Sequence, residues 1–523
     1  MTKNPRTKYP SFPACILAAL LLALLISACQ PAVPLFTHEP QPSLPGPGRT
    51  AAATASALVE IPPPDAQPSA TPGQRDTPQP TTVPLTPTPA SLLGVDPADL
   101  SGAEISFWHN WSGPSLGILH GLVDTFNNSN EWGIQVKAEY QGNLDELYTR
   151  AEAQEEGDWP DILVAYLPRA IAWDQAQGLV ELNAYVDDPL WGMPAEEQAA
   201  YYPVIWEQDL YEGRRLGLPA QRFASLLYYN QTWGRELGFA NPPATPDEFR
   251  EQACAAAATK LQDDNLQNDA LGGWIISTEH PAMLSWLYAF GSNILASGGS
   301  QGIYNFDTRQ TEAAFTFLRE LYDRGCAWIS ADQPPEEEFS ARDGLLAVGS
   351  LSGLPYQAAA FQRQGNPDRW TVLPYPSSSG EPAVNVYGPS FVVTPSTPER
   401  QLAAWLFLKW LLLPENQARL VASNGMLPLS QAAREALQDY ADANPQWAAA
   451  VDLLSIARPE PALPSWDLVR WALSDAATQL FRDYFTIDRV PDLTRLLDET
   501  ADDLSISPLT DRFLGSGAVT PTP

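Results

Sequence analysis

Histidine and cysteine are scarce in this 523-residue chain, with four of each. His38, His109, His120 and His280 stand far apart, and no His-Glu-x-x-His, Cys-x-x-Cys or Walker-type Gly/Lys loop occurs. Zinc hydrolysis, dithiol redox chemistry and nucleoside triphosphate turnover therefore lack their usual residues, and neither a metal nor a cofactor is expected. Lysine appears only at Lys3, Lys8, Lys137, Lys260 and Lys409, and 62 Asp+Glu outweigh 30 Lys+Arg for a formal charge of −32. That balance argues against nucleic acid or an anionic membrane surface as the main partner, because phosphate binding needs clustered cations. Apolar runs stay short of the ~20 residues that a bilayer-spanning helix needs. The run Ile16–Ile26 has eleven residues, and Leu402–Leu413 has twelve with Lys409 inside. Gly298-Gly-Ser-Gln-Gly302 matches the Gly-x-Ser-x-Gly nucleophile pattern, but no strand leads into it and it reads as a turn. A glycosidase would need two carboxylates at a defined separation. Among 62 acids no particular pair is singled out.

Proline is plentiful and uneven. Seventeen of the 51 prolines lie between Pro31 and Pro97, whereas all 17 tryptophans fall at or after Trp108. Ahead of the proline-rich stretch, residues 1–28 combine Lys3, Arg6 and Lys8 with the short apolar run and small residues, the three parts of a secretory signal. Ile26-Ser-Ala-Cys29 resembles a bacterial lipobox, which implies lipidation of Cys29 as the mature N-terminus; a soluble secreted form and an uncleaved anchor are the alternatives. Residues 29–98 then read as a disordered Pro/Thr-rich linker, too poor in apolar residues to offset its ordering entropy. In extended polyproline conformation at ~3.1 Å per residue it could span on the order of 100–200 Å. A spacer through a surface layer and a neutral expansion are both open readings.

The body is expected from about 99 to 510, with a disordered tail over 511–523. Ile105–His109, Ile134–Tyr140 and Pro160–Tyr166 read as strands, separated by helices, so an α/β layer with a mostly parallel sheet is predicted. Such sheets bind ligands beyond the carboxyl ends of their strands, which points to the loops after His109 and at Tyr166–Arg169. Thr245, Pro246 and Glu248 form a capping-box start to one helix. A second helix over about 310–324 stops at Gly325. Cys254 and Cys326 are the two cysteines of the body. Outside the cytoplasm two such cysteines pair, so a Cys254–Cys326 disulfide is predicted, against the alternative of two buried thiols.

Seven segments in order carry a family likeness: Ile105-Ser-Phe-Trp-His-Asn-Trp111, Trp159-Pro-Asp-Ile162, Gly217-Leu-Pro219, Leu227-Tyr-Tyr-Asn230, Pro242–Phe249, Ala404–Trp410 and Asn424-Gly-Met-Leu-Pro428. Together they resemble the extracellular solute-binding proteins of sugar-type ABC importers, the group that includes maltose-binding protein. Two segments depart from the pattern: Tyr387-Gly-Pro-Ser390 stands where a Gly-Gly pair is common, and Gly344-Leu-Leu-Ala-Val348 where Gly-x-x-Ala-Met is. The resemblance implies a two-lobed periplasmic-binding-protein-like fold (type II) with a hinge. One lobe would hold about 102–221 and 388–426, the other about 222–387 and 427–510. It further implies a monomeric, non-enzymatic, lipid-anchored receptor at the outer face of the cell membrane. Such a receptor captures a sugar or oligosaccharide, or a phosphorylated polyol, and hands it to ABC permease subunits. A secreted carbohydrate-active hydrolase and a surface carbohydrate sensor or adhesin are the competing readings.

Sugar clefts combine aromatic faces with placed polar groups. The positions matching cleft-lining segments are Asn110, Trp111, Tyr166, Arg169, Arg222, Trp286, Tyr356 and Tyr387. Strand alternation places Trp108 in the core and leaves Trp111, in the following loop, for contact. Arg222 is the lone cation of Leu218–Phe223, where the chain is expected to cross between lobes. A forked guanidinium there suits an acidic sugar or phosphate ester; a structural salt bridge is the alternative.

Overall fold

The computed structural model describes residues 90–155, 158–296, 302–330 and 335–506. The expected signal segment, Cys29, most of the linker, much of the Gly298–Gly302 motif and the tail lie outside them. Packing starts at Ser91, whose Oγ donates to Asp188 together with the Leu92 amide (3.0 and 2.8 Å). Val95, ahead of the boundary expected near 99, is already a core residue, as is Leu100 just after it.

In chain order the elements used below begin with β1 (Glu104–His109), α1 (Gly113–Ser129), β2 (Gln135–Tyr140), α2 (Leu144–Glu152), β3 (Ile162–Ala165) and α3 (Leu167–Gln177). There follow β4 (Leu218–Pro219), β5 (Phe223–Asn230), α4 (Pro246–Leu261), β6 (Trp274–Ile275), α5 (His280–Ala289), α6 (Arg309–Asp323), β7 (Ala327–Trp328) and β8 (Leu346–Ser350). The last are α7 (Leu354–Gln364), β9 (Trp370–Leu373), β10 (Val384–Tyr387), β11 (Ser390–Val393), α8 (Pro398–Leu411), α9 (Pro414–Asn424), β12 (Ala457–Pro459), α10 (Trp466–Leu480) and α11 (Val490–Ile506).

Among the described residues two large sheets form, each the centre of one lobe, beside a two-stranded pair of Leu210–Tyr211 with Arg214–Arg215. The first runs β2-β1-β3-β11-β4, with β1 parallel to both β2 and β3 and β11 antiparallel. Ile105, Phe107 and His109 bury one face of β1, and Phe126 of α1 and Phe407 of α8 pack there on Phe107 or on each other. The second sheet is built on β5, whose last seven residues are buried, as a strand covered on both faces requires. Along it lie β12, β10, β8, β6 and β7, with β9 pairing the far end of β5. The helix starts follow the sequence signals: Thr245 and Glu248 close a capping box on α4, and α6 ends ahead of Gly325 at φ 67°. Cys254 on α4 and Cys326 before β7 form the predicted disulfide. Among the described residues no helix is long and apolar enough to cross a membrane.

The chain leaves the first sheet after Pro219 and joins the second at Phe223; it returns between Tyr387 and Ser390. Arg222 sits inside this double crossing with its side chain fully buried. Its Nη1 donates to the carbonyls of Gln221 (2.9 Å), Gly388 (3.2 Å) and Pro389 (2.6 Å). Its Nη2 donates to Asp209 Oδ1 (2.7 Å) and Ser390 Oγ (3.1 Å). Its own carbonyl accepts from the Leu427 amide (2.8 Å), which ties in a third segment. Gly388 (φ 149°) lets the two strands touch, because a Cβ there would run into the Gln221 carbonyl. Arg222 is thus a structural staple of the hinge, and the reading of it as a ligand-facing cation is corrected. A fully buried guanidinium needs its acceptors from the protein itself.

Candidate functional site

Between the lobes lies a cleft of ≈ 460 Å³. The first lobe supplies Leu144 and Asp145 from the first turn of α2, and Tyr166 from the junction of β3 and α3. These sit at the carboxyl ends of β2 and β3, where a parallel sheet opens. Asp145 is presented by a closed capping box, since Asn143 Oδ1 accepts from the Glu146 amide and the Glu146 carboxylate accepts from the Asn143 amide (both 2.9 Å). The second lobe supplies Ser225 of β5, Glu279 and His280 at the start of α5, Ser350 at the end of β8, and Tyr387 at the end of β10. Arg470 and Trp471 of α10 complete the wall.

Helix α10 belongs to the second lobe, into whose core it buries Trp466, Val469 and Leu473, yet it reaches the first. Arg470 Nη2 donates to Asp467 Oδ1 (2.8 Å), and Asp467 Oδ2 accepts from Arg169 Nη2 of α3 (2.8 Å). Arg169 Nη1 donates in turn to Glu152 Oε1 (2.8 Å). The Arg470 guanidinium lies over both the Tyr166 and the Trp471 rings, 5.4 Å from each centroid. A continuous line of alternating charges therefore joins the lobes behind the cleft. Trp471 remains 52% exposed, with its ring edge-on to His280 at 5.6 Å. Burial raises the Tyr166 and Tyr387 phenols, so both are neutral hydrogen-bonding groups at physiological pH. Burial, helped by Arg470, lowers His280 to about 3 and keeps its ring neutral.

Of the eight positions expected at the site, the structure brings Tyr166 and Tyr387 together in the cleft. Arg169 is buried behind it in the charge line. Asn110 is half-buried at the end of β1 and does not line the cleft. Trp111 is a correction: it is 2% exposed, stacked on Phe391 at 5.7 Å, because the turn after β1 folds its ring back onto the sheet. Trp108 is the half-buried one of the pair. Trp286 is also a core residue, packed edge-on against Phe249 and Tyr375. Tyr356 is 67% exposed on the first turn of α7, outside the cleft lining. Sequence reasoning missed Asp145, His280, Arg470 and Trp471. For the last two a signal existed: Trp466, Val469 and Leu473 mark one buried face of a helix and leave Arg470-Trp471 off it.

Two α/β lobes, a stapled hinge of crossing strands and an aromatic, polar cleft between them define a two-lobed ligand-binding protein. The profile described as bacterial extracellular solute-binding protein matches residues 121–454, more than half of the chain, and the chain belongs to that family. A binding protein of Brucella abortus (strain 2308) is 24% identical over 307 residues, covering 58% of this chain and 71% of that one. The sn-glycerol-3-phosphate-binding periplasmic protein UgpB of Salmonella typhimurium is 23% identical over 359 residues, 66% of this chain and 79% of that one. Among solved structures, the cyclic alpha-maltosyl-1,6-maltose binding protein from Arthrobacter globiformis superposes with a TM-score of 0.65 at 20% identity. That match covers 78% of this chain and 100% of the other, and it shows the shared fold. The resemblance read from the sequence is borne out for family and fold.

Proposed function

We propose that this chain is the substrate-binding lipoprotein of an ABC importer, capturing a sugar or oligosaccharide between its lobes and presenting it to a membrane permease. The observation that carries the reading is the interlobe cleft, where Tyr166, Tyr387 and half-exposed Trp471 stand beside Asp145, Ser225 and Arg470. Aromatic faces take the C–H surfaces of a sugar ring, and the carboxylate, hydroxyl and guanidinium groups take its hydroxyls. The named relatives support this class of ligand, one binding a cyclic maltosyl saccharide and another a glycerol phosphate. The protein carries out no bond chemistry; the ligand closes the lobes by differential affinity for the closed state.

A thermal-shift panel tests the ligand class. Mono- and oligosaccharides or sn-glycerol 3-phosphate are expected to raise Tm, by about 2.7 kcal/mol of stabilisation at a hundredfold excess over Kd. Shifts confined to amino acids or metal ions would reject the assignment, and release of cleaved sugar would make the protein a hydrolase. Residues 1–28 act as the signal, Cys29 carries the lipid, and a monomeric body is held outside the membrane by the proline-rich linker. Membrane-fraction mass spectrometry is expected to find a lipidated N-terminal peptide starting at Cys29, and Cys29→Ala to release the protein into the medium. A Cys29→Ala protein that stays on the membrane would reject the anchor.

A further inference from the structure

Arg169 and Asp467 meet across the lobe boundary. Tyr166, the residue ahead of α3, and Arg169 in its first turn belong to the first lobe. Asp467 and Arg470, one turn apart on α10, belong to the second. The four side chains make two rungs. At the cleft wall Arg470 stands 5.4 Å from the Tyr166 ring centre, and one turn behind it Arg169 Nη2 donates to Asp467 Oδ2 (2.8 Å). The same three-residue step on both helices keeps the rungs aligned. The rear rung is buried, with 10% of the Arg169 side chain and 5% of the Asp467 side chain exposed.

Each end of that rung has a second partner in its own lobe. Glu152 Oε1 accepts from Arg169 Nη1 (2.8 Å) and from Trp173 Nε1 (3.0 Å), and the Arg169 guanidinium lies 5.0 Å from the Tyr148 ring centre. Asp467 Oδ1 accepts from Arg470 Nη2 (2.8 Å). Parting the lobes would divide the line into Glu152–Arg169 and Asp467–Arg470, two pairs without net charge. No orphaned ion remains on either side, so this contact can open and re-form.

We propose that Arg169 is a positioning residue for ligand capture: through Asp467 it holds Tyr166 and Arg470, cleft residues of opposite lobes, side by side before ligand arrives. The inference rests on the clamp reading above and assigns a residue to its lobe movement. Arg169 does not line the cleft, so its effect reaches the ligand only through the spacing of the two walls. A hydrogen bond between charged groups is strong enough to bias such an equilibrium. A protein that spends less of its time with both walls in place binds more weakly by that fraction.

The first test needs no ligand. With one spin label on α1 and one on α6, Arg169→Gln is expected to broaden the interlobe distance distribution toward longer distances. Asp467→Asn should do the same, and the double variant no more than either alone, because all three lose one contact. The second test is calorimetry with maltose, maltotriose and sn-glycerol 3-phosphate. Arg169→Gln is expected to weaken Kd about tenfold, and Arg169→Lys, which keeps a cation for Asp467, to recover part of that loss. An Arg169→Gln protein with an unaltered distance distribution, or with unchanged or tighter binding, overturns the proposal and leaves the clamp standing. Should that variant fail to fold, Asp467→Asn takes its place in the distance measurement under the same criterion. If none of the three probes binds, the clamp reading fails for those ligands, and the distances still decide whether Arg169 holds the lobes.

Discussion

Replacing Arg222 with methionine is expected to cost about 3–5 kcal/mol of stability. Such a loss is a large share of the ~5–15 kcal/mol that holds a typical domain folded. The guanidinium and Asp209 are both fully buried, so the substitution leaves an unpaired carboxylate in the interior. It also removes the donor to the carbonyls of Gln221, Gly388 and Pro389, the segments on which the lobes turn. Ser390 Oγ still donates to Asp209 Oδ1, but one hydroxyl does not replace a cation. Lysine should rescue only partly, since a single ammonium cannot fork toward Asp209 and the carbonyls at once. The double variant Arg222→Met, Asp209→Leu should lose less than Arg222→Met alone, because no orphan charge remains. Urea melts of the three variants check this. A single-variant loss below about 1 kcal/mol, within the range of an exposed pair, would remove Arg222 from its role as the hinge staple.

The disulfide is of similar size. Cys254 and Cys326 are separated by 72 residues, and closing a loop of that length restrains the unfolded chain by about 4.4 kcal/mol in the chain-entropy model. The bridge fastens α4 to the edge of the second sheet, next to β6 and β7, which are two residues long each. Gly273 packs so closely that a Cβ would strike the Cys326 carbonyl, so this corner depends on the two chains staying together. Reduction, or Cys254→Ser with Cys326→Ser, is expected to lower the unfolding free energy read from urea melts by that amount. It should leave ligand affinity unchanged, because neither cysteine lines the cleft. Coincident melts with and without reductant would show that the bridge contributes nothing.

How far the sequence reached differs between fold and site. The strands beginning at Glu104, Gln135 and Ile162, and the caps at Thr245 and Gly325, were legible because each depends on local pattern: alternation, a capping triplet, a glycine stop. The site was less so. Trp111 went to the core because a turn after a strand sets its own side-chain directions, which alternation does not describe, while Trp108 packs half-buried against the core of the first lobe. Trp286 matched a cleft-lining segment, yet its helix turns that ring fully into the second core. Arg222 stood out correctly as an isolated cation, but whether it met ligand or Asp209 depended on where Asp209 folds back. Tyr166 and Arg470 meet across more than half the chain, and no local pattern pairs them.

By itself the sequence determined what regular structure the segments make, which cysteines could pair, and to which family the body belongs. Those properties follow from neighbours along the chain or from elimination. Only the tertiary structure decided which aromatics face the cleft, which arginine staples the hinge, and which carboxylate meets an arginine of the other lobe. Each of those depends on groups from distant segments meeting at one point, where burial sets their charge and their partners.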